Sequence, residues 1–245
     1  MIQPIPIDAQ DIVVTAAREA DAESRTAASV TVIDGARMER LGEPLVPTLL
    51  RLSPSVSIST SGPAGSLTEV RIRGSEANHT LLFVDGIRVN DPAAGNVPRF
   101  ELLNADLFSR IEVVRGPQSA LWGSEAIGGV VSVTGGASAG PVLSALGELG
   151  SFGFGRAGVQ GSANAGDLSL SGSAGWQHAR GIDSFDGEGD RDGYRNLSGR
   201  FRAVWSPRSS LELGVNGFAL SGRSEYDGYG AVSFQHEDTL DSTEN

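Results

Sequence analysis

IEVVRGPQSALWGSEAIGGVVSV, residues Ile111 to Val133, opens on a strand, because Ile111, Val113 and Val114 make a β-branched run that continues to Arg115. Gly116-Pro117 and Gly128-Gly129 then supply turn chemistry. Upstream lie further strands at Thr80 to Val84 and Glu69 to Arg73, with Asp85-Gly86 marking a tight turn after the first. Ser29 to Ile33 reads as another strand, and Asp34 is placed to N-cap a short helix running to about Arg40. A second short helix fits Pro44 to Leu52, with proline in its first turn, Leu45, Leu49 and Leu52 at helical spacing, and Pro54 as its stop. The pattern is a small α+β domain over residues 26–137, preceded by an arm over residues 1–25.

Residues 138–245 follow another rule. Leu168, Leu170, Gly172, Ala174 and Trp176 alternate with Ser169, Ser171, Ser173, Gly175 and Gln177. Leu197, Gly199, Phe201, Ala203 and Trp205 repeat the theme, as do Leu211, Leu213 and Val215. These runs exceed the usual globular strand and match tilted strands that cross a bilayer. Connections alternate too: Asn164 to Asp167 and Ser206 to Ser209 are tight, whereas Gly181 to Gly193 and the stretch after Gly222 are long and acidic. That asymmetry is typical of outer-membrane barrels, with Trp176 and Trp205 at the girdle positions. A soluble antiparallel sandwich also alternates and stays open on this evidence.

Composition narrows the classes. The formal charge is -11, which disfavours a phosphate-binding surface and hence nucleic acid. All 19 basic residues are Arg, so no P-loop lysine exists, and the absence of Cys removes disulfides and thiolate sites. Glycine, at 33 of 245 residues, argues against a helix-rich protein. No run of 18 apolar residues exists, and Met1-Ile2-Gln3-Pro4 lacks the start of a signal peptide. Gly153-x-Gly155-x-x-Gly158 matches a dinucleotide fingerprint outside any βαβ setting, and His79, His178 and His236 are isolated, so the chain is not expected to be an enzyme.

Three segments carry a family resemblance. Asp11-Ile12-Val13-Val14-Thr15-Ala16 resembles the Ton box of TonB-dependent outer-membrane receptors, while Thr80 to Asn90 (TLLFVDGIRVN) and Ile111 to Val133 resemble their plug signatures. The resemblance implies an α+β plug domain followed by antiparallel strands of a transmembrane β-barrel, 22-stranded in the family. About five strands fit the remaining residues, so a fragment or truncated product is expected. It also implies the Gram-negative outer membrane, contact with its lipid, and TonB as a partner that captures the box by strand pairing. An ordinary N-terminal edge strand is the plainer reading of the box. Arg71, Arg73 and Arg115 sit on apolar strands. By resemblance they meet acidic barrel-wall residues; ion pairs inside the plug account for them equally.

Within the family the chain is most similar to vitamin B12 (cobalamin) receptors, through Gly123 to Val131, the box ending Val-Val-Thr-Ala, and the acidic segments Asp190-Arg191-Asp192-Gly193-Tyr194 and Tyr226-Asp227-Gly228-Tyr229. In those receptors such loops carry calcium ligands, which here would be Asp183, Asp190, Asp192, Tyr226, Asp227 and, more loosely, Asp238 or Asp241. Calcium takes six to eight oxygens, and Asp183, Asp186, Glu188, Asp190 and Asp192 repel one another without a cation. A solvated charged loop is the alternative. Substrate contacts are expected from two plug loops: Ser61, Gly62, Ser66 and Leu67 in one, and Asn90, Asp91, Ala93, Gly95 and Asn96 in the other. The expected function is TonB-dependent uptake of a corrinoid, with a ferric siderophore or other metal chelate as second substrate class, and a structural or adhesive barrel as the reading from another class.

Overall fold

The structure is a computed structural model that describes residues 12–13, 21–22, 28–136, 141–183, 191–208, 210–229 and 236–244. Among the expected site residues, Asp11, Val14, Thr15, Ala16 and Asp190 lie outside these. In chain order the elements are β1 (Ile12–Val13), β2 (Asp21–Ala22), β3 (Ser29–Asp34), α1 (Gly35–Leu41), α2 (Val46–Leu50), β4 (Val56–Thr60), β5 (Thr68–Ile72), β6 (Thr80–Val84), β7 (Ile87–Arg88), β8 (Asn90–Asp91) and β9 (Val97–Pro98). They continue with β10 (Arg110–Arg115), α3 (Ser119–Trp122), β11 (Gly129–Thr134), β12 (Val142–Leu149), β13 (Gly155–Ala165), β14 (Leu168–Ala179), β15 (Tyr194–Arg208), β16 (Leu211–Tyr229) and β17 (His236–Glu244).

The quoted stretch builds the centre of the plug. β10 and β11 pair antiparallel, β3 flanks β10, and β11 lies parallel to β6, giving the order β3-β10-β11-β6-β7. Both faces of this sheet are covered, which is why β6 and β11 read as continuous apolar runs. Ile111, Val113, Leu82 and Val131 pack under α1, α2 and the Phe100 to Phe108 segment, while Val114, Leu81 and Val130 form a smaller cluster with Trp122. α1 starts where expected: the Asp34 side chain accepts from the Arg37 amide at 2.8 Å, and Gly42 at φ 65° closes it. α2 is shorter than the expected Pro44 to Leu52, and the proline in its first turn is Pro47. Pro44 stands outside it, its carbonyl accepting from Ala105.

Strands β12 to β17 form one antiparallel sheet of six neighbours in chain order, where length suggested about five; β12 is only eight residues long. Its amphipathicity is inverted relative to a soluble sandwich. Leu197, Phe201, Trp205, Leu213 and Val215 are exposed, whereas Gln177, Asn196, Ser198, Arg200 and Ser224 are buried against the plug. A sandwich buries its apolar face, so the open alternative is closed in favour of a wall facing lipid. Trp205 pairs with Leu168 at one end of the apolar band and Leu197 with Trp176 at the other, about 27 Å apart along the strand.

Two connections differ from expectation. Arg208 pairs with Leu211, so β15 runs beyond the expected turn residues, after a bulge that lets it pass Pro207. From Gly222 to Tyr229 the chain is strand and not loop: β16 runs on to Tyr229 and pairs with β17.

The apolar band predicts the cost of charge. Phe201→Arg, at mid-band, is expected to destabilise the barrel by about 2–4 kcal/mol in lipid, measured by folding titrations of the full-length protein into vesicles. A smaller loss than for Leu197→Arg nearer the rim would contradict this placement.

Candidate functional site

The wall's inward side chains hold the plug. Arg200 on β15 meets Asp85 with Nε to Oδ2 at 2.5 Å, both side chains almost fully buried. The Asp85 carboxylate also accepts from the Gly135 amide at 3.0 Å, and its backbone carbonyl accepts from Asn216 on β16. Asp85 and Gly86 have φ 47° and 83°, a left-handed two-residue hairpin turn between Val84 and Ile87. The tight turn read from sequence is thus also the plug's charged point of attachment. Nothing local in the sequence announced its partner; the signal present was an arginine on the polar register of a wall strand.

A second anchor gathers three elements. Arg156 on β13 reaches Asp106 at 3.2 Å, Glu148 on β12 at 2.7 Å, and the Gly42 carbonyl at the C-terminus of α1 at 2.8 Å. Neutral bonds fill the spaces between: Ser173 donates to the Leu107 carbonyl at 2.9 Å, Gln177 to Pro44 at 2.8 Å, Asn196 to Leu102 at 2.9 Å, and Ser224 to Ala64 at 2.9 Å. Of the two readings for the plug arginines, contacts inside the plug are the ones the structure gives. Arg71 pairs with Glu69, Arg73 donates to Ser29, and Arg115 donates to the carbonyls of Ser29, Val30 and Pro54, all inside the plug. In the two plug-to-wall ion pairs described here the polarity is reversed, with arginine on the wall and carboxylate on the plug.

Of the two expected substrate loops, Ser61 to Leu67 joins β4 to β5 and leans on the wall. At Gly65, φ 85°, a Cβ would stand 2.4 Å from the Tyr194 ring, so a side chain is excluded there. Ser61, Gly62 and Leu67 are exposed, whereas Ser66 is buried. In the second loop Asp91 accepts from the Ala93 amide at 2.8 Å, and Gly95 and Asn96 take φ 68° and 64°. Ala93 and Gly95 are open to solvent. Asn90 is not: its buried amide accepts from Leu82 at 2.9 Å and donates to Thr80 and Asn96 at 3.0 and 2.9 Å. Asn96 in turn donates to the Asn78 carbonyl at 3.1 Å. Asn90 and Ser66 are framework positions, a correction to their expected role as contacts.

A sequence profile described as TonB-dependent Receptor Plug Domain matches residues 22–130. Over those residues the chain is similar to a TonB-dependent receptor plug domain. The vitamin B12 transporter BtuB of Vibrio vulnificus (strain YJ016) is 38% identical over 122 residues, covering 50% of this chain and 20% of that one. In fold, the chain superposes on the ferripyoverdine receptor of the Pseudomonas aeruginosa outer membrane with TM-score 0.73 at 18% identity, covering 89% of this chain and 29% of that one. The ferric yersiniabactin uptake receptor FyuA of Yersinia pestis gives TM-score 0.62 at 20% identity, covering 89% and 34%. Plug and wall together share the fold of those receptors.

The expected calcium ligands converge in part at the outer end of the wall, the end with the long connection. Asp192 is buried where its amide bonds to the Ile182 carbonyl at 3.0 Å, one residue before Asp183. Glu225 donates its amide to Gly193 at 2.8 Å, which brings Tyr226 and Asp227 alongside on β16, a strand and not the loop expected. Asp241 lies on β17 opposite Glu225. Among the described residues no three His, Asp or Glu side chains gather as a metal-binding group.

Inside the plug, Glu101 lies fully buried, 2.8 Å from Arg99. Burial pushes its carboxyl above the usual carboxylate range, with Arg99 and the Thr68 backbone opposing. Burial likewise raises Asp106 against the pull of Arg156. For Glu101 the folded state holds its proton more tightly than the unfolded chain, so this contribution to stability is complete below the unfolded value of 4.5 and fades as pH rises through the folded value. Glu101→Gln should therefore raise the plug's unfolding midpoint at pH 7 and lose that gain towards pH 4.5, as read by calorimetry of the full-length receptor. A gain independent of pH would exclude the buried charge as its cause.

For the Arg200 and Asp85 pair, Arg200→Gln or Asp85→Asn alone should loosen the plug by about 3–5 kcal/mol, because each leaves an uncompensated group. The double variant should recover part of that loss. Urea titrations of a spin-labelled plug in the full-length receptor measure the cycle, and strict additivity would show that the pair does not act as one unit.

Proposed function

We propose that the protein carrying this chain imports a corrinoid across the outer membrane by TonB-dependent active transport. The chain spans a fifth of the matched vitamin B12 transporter and about three-tenths of the matched receptor structures, so the activity belongs to the whole receptor. The observation that carries the substrate class is the 38% identity with that transporter, against 17–22% for the siderophore receptors, whose likeness speaks to fold. A ferric siderophore or other chelate is the second reading, favoured by the number of such receptors among the structural matches.

The mechanism follows from how the chain is held. Substrate would rest on the exposed residues of the two loops, Ser61, Gly62, Leu67, Ala93 and Gly95. Because Gly65 is packed against Tyr194, a load on the first loop also presses on β15. At the other extreme of the chain Ile12 and Val13 pair with Ala22 and Asp21 through a two-residue ladder. So short a pairing is marginal, and TonB would replace it with its own strand. Calcium, if bound, would be held by oxygens of Asp183, Asp190, Asp192, Tyr226 and Asp227, a hard donor set that suits it; its contribution is to order the outer connections.

Equilibrium dialysis of cyanocobalamin against the full-length receptor, with and without calcium, tests the substrate. Binding that tightens with calcium is expected; no binding in either condition overturns the corrinoid reading, and ferric siderophore binding would then support the second. Val13→Pro should leave binding intact and abolish uptake by cells. Unchanged uptake would instead favour a barrel with no energy-coupled transport.

A further inference from the structure

Tyr194 and Ser224 stand opposite each other on β15 and β16, and both are buried on the inward side of the wall. Between them they hold the tip of the loop from Ser61 to Leu67. Ser224 donates to the Ala64 carbonyl at 2.9 Å. At Gly65 a Cβ would stand 3.1 Å from the Ser224 Cβ and would enter the Tyr194 ring, so the backbone there lies flat against the wall. Two residues further along the same face of β16, the Tyr226 Cβ is 3.7 Å from where a Gly62 Cβ would be. The base of this hairpin belongs to the plug, with Val70 and Ile72 in the plug core, whereas its tip rests on wall side chains.

The second loop is held from inside the plug. Asn90 bonds to Thr80, Leu82 and Asn96. Asn96 donates to the Asn78 carbonyl at 3.1 Å and accepts from Arg88 at 2.5 Å, and Arg88 is ion-paired with Glu125. The two loops thus take their positions from two different bodies. Their spacing is kept only while the plug sits in its seat, which Arg200 with Asp85 and Arg156 with Asp106 provide.

We propose that Tyr194 and Ser224 are positioning residues: the wall, and not the plug that carries it, sets where the first substrate loop stands, so that substrate affinity depends on how the plug is seated. A stretch as rich in small residues as Ser61-Gly62-Pro63-Ala64-Gly65 loses much conformational freedom when it is fixed, and fixing it before the ligand arrives removes that cost from binding. That these loops hold substrate rests on the function proposed above; that the wall positions the first of them does not.

The test reads loop position and affinity separately in the full-length receptor. Nitroxide labels at Leu67→Cys in the first loop and Ala93→Cys in the second report mobility by electron paramagnetic resonance. Tyr194→Ala is expected to mobilise the label at 67 and leave the one at 93 as it was; Ser224→Ala should do the same more weakly, and Tyr194→Phe, which keeps the ring, should preserve the original spectrum. Arg200→Gln should broaden the distance between the two labels. In equilibrium dialysis Tyr194→Ala should weaken cyanocobalamin binding about tenfold, the size expected when a preorganised loop has to be ordered on binding, and Tyr194→Phe should retain it. Leu213→Ala on the lipid side should alter none of these readings, and unaltered gel migration of the unheated barrel shows that each variant has folded. A label at 67 that Tyr194→Ala does not mobilise, equal mobilisation at 93, or an unchanged distance in Arg200→Gln overturns the proposal. Spectra that change as expected in a receptor that binds no cyanocobalamin, even unsubstituted, would sink the corrinoid reading and support the wall's positioning role.

Discussion

A strand whose outer face meets hydrocarbon has to send its polar side chains the other way, and in β12 to β17 the other way is the plug. Gln177, Asn196, Ser198, Arg200 and Ser224 are among the most buried residues of the molecule, while Leu197 and Phe201 between them are open. The plug therefore has to be polar at its rim. It answers with backbone carbonyls of Pro44, Ala64, Leu102 and Leu107, which lie in irregular segments. Loops that would be a liability inside a soluble core become the matching surface.

The charged contacts obey the same condition with higher stakes. Arg200 and Asp85 are buried together, and a pair of this kind contributes little net stability while making the loss of one partner costly. Its value lies in register: the left-handed turn at Asp85-Gly86 meets one position on one strand. Arg156 does the same for α1, completing the carbonyls at that helix's C-terminus as well as pairing with Asp106. The plug is thus seated mainly by directional polar contacts, with Phe218 of the wall adding an apolar contact to its core, so little hydrocarbon surface would be exposed if it moved against its wall.

Local patterns were the legible part. Period-two alternation located β14 to β16, Asp34 announced α1, and the plug signature announced β10. Misreadings came where two structures share one composition. Tyr226 to Tyr229 is acidic and Gly-rich like a loop, yet a bulge between Tyr226 and Gly228 lets the ladder with β17 continue. Asn90 has the look of a ligand contact, because a polar side chain in a turn has the same signature whether it faces a substrate or its own backbone.

What the sequence determined by itself was the kind of each strand, because the side-chain period and the turn residues are local properties. Direction was beyond it. Alternation says that two faces differ and not which one meets lipid, so the inversion of β12 to β17 became visible only with Leu197 exposed and Arg200 buried. Pairing was beyond it as well: Asp85 and Arg200 are separated by 115 residues, and the arginines nearest to the plug's own acids in sequence are not the ones that seat it. Charge pairing across such a distance depends on where two chain segments are brought to lie, and only the tertiary structure decides that.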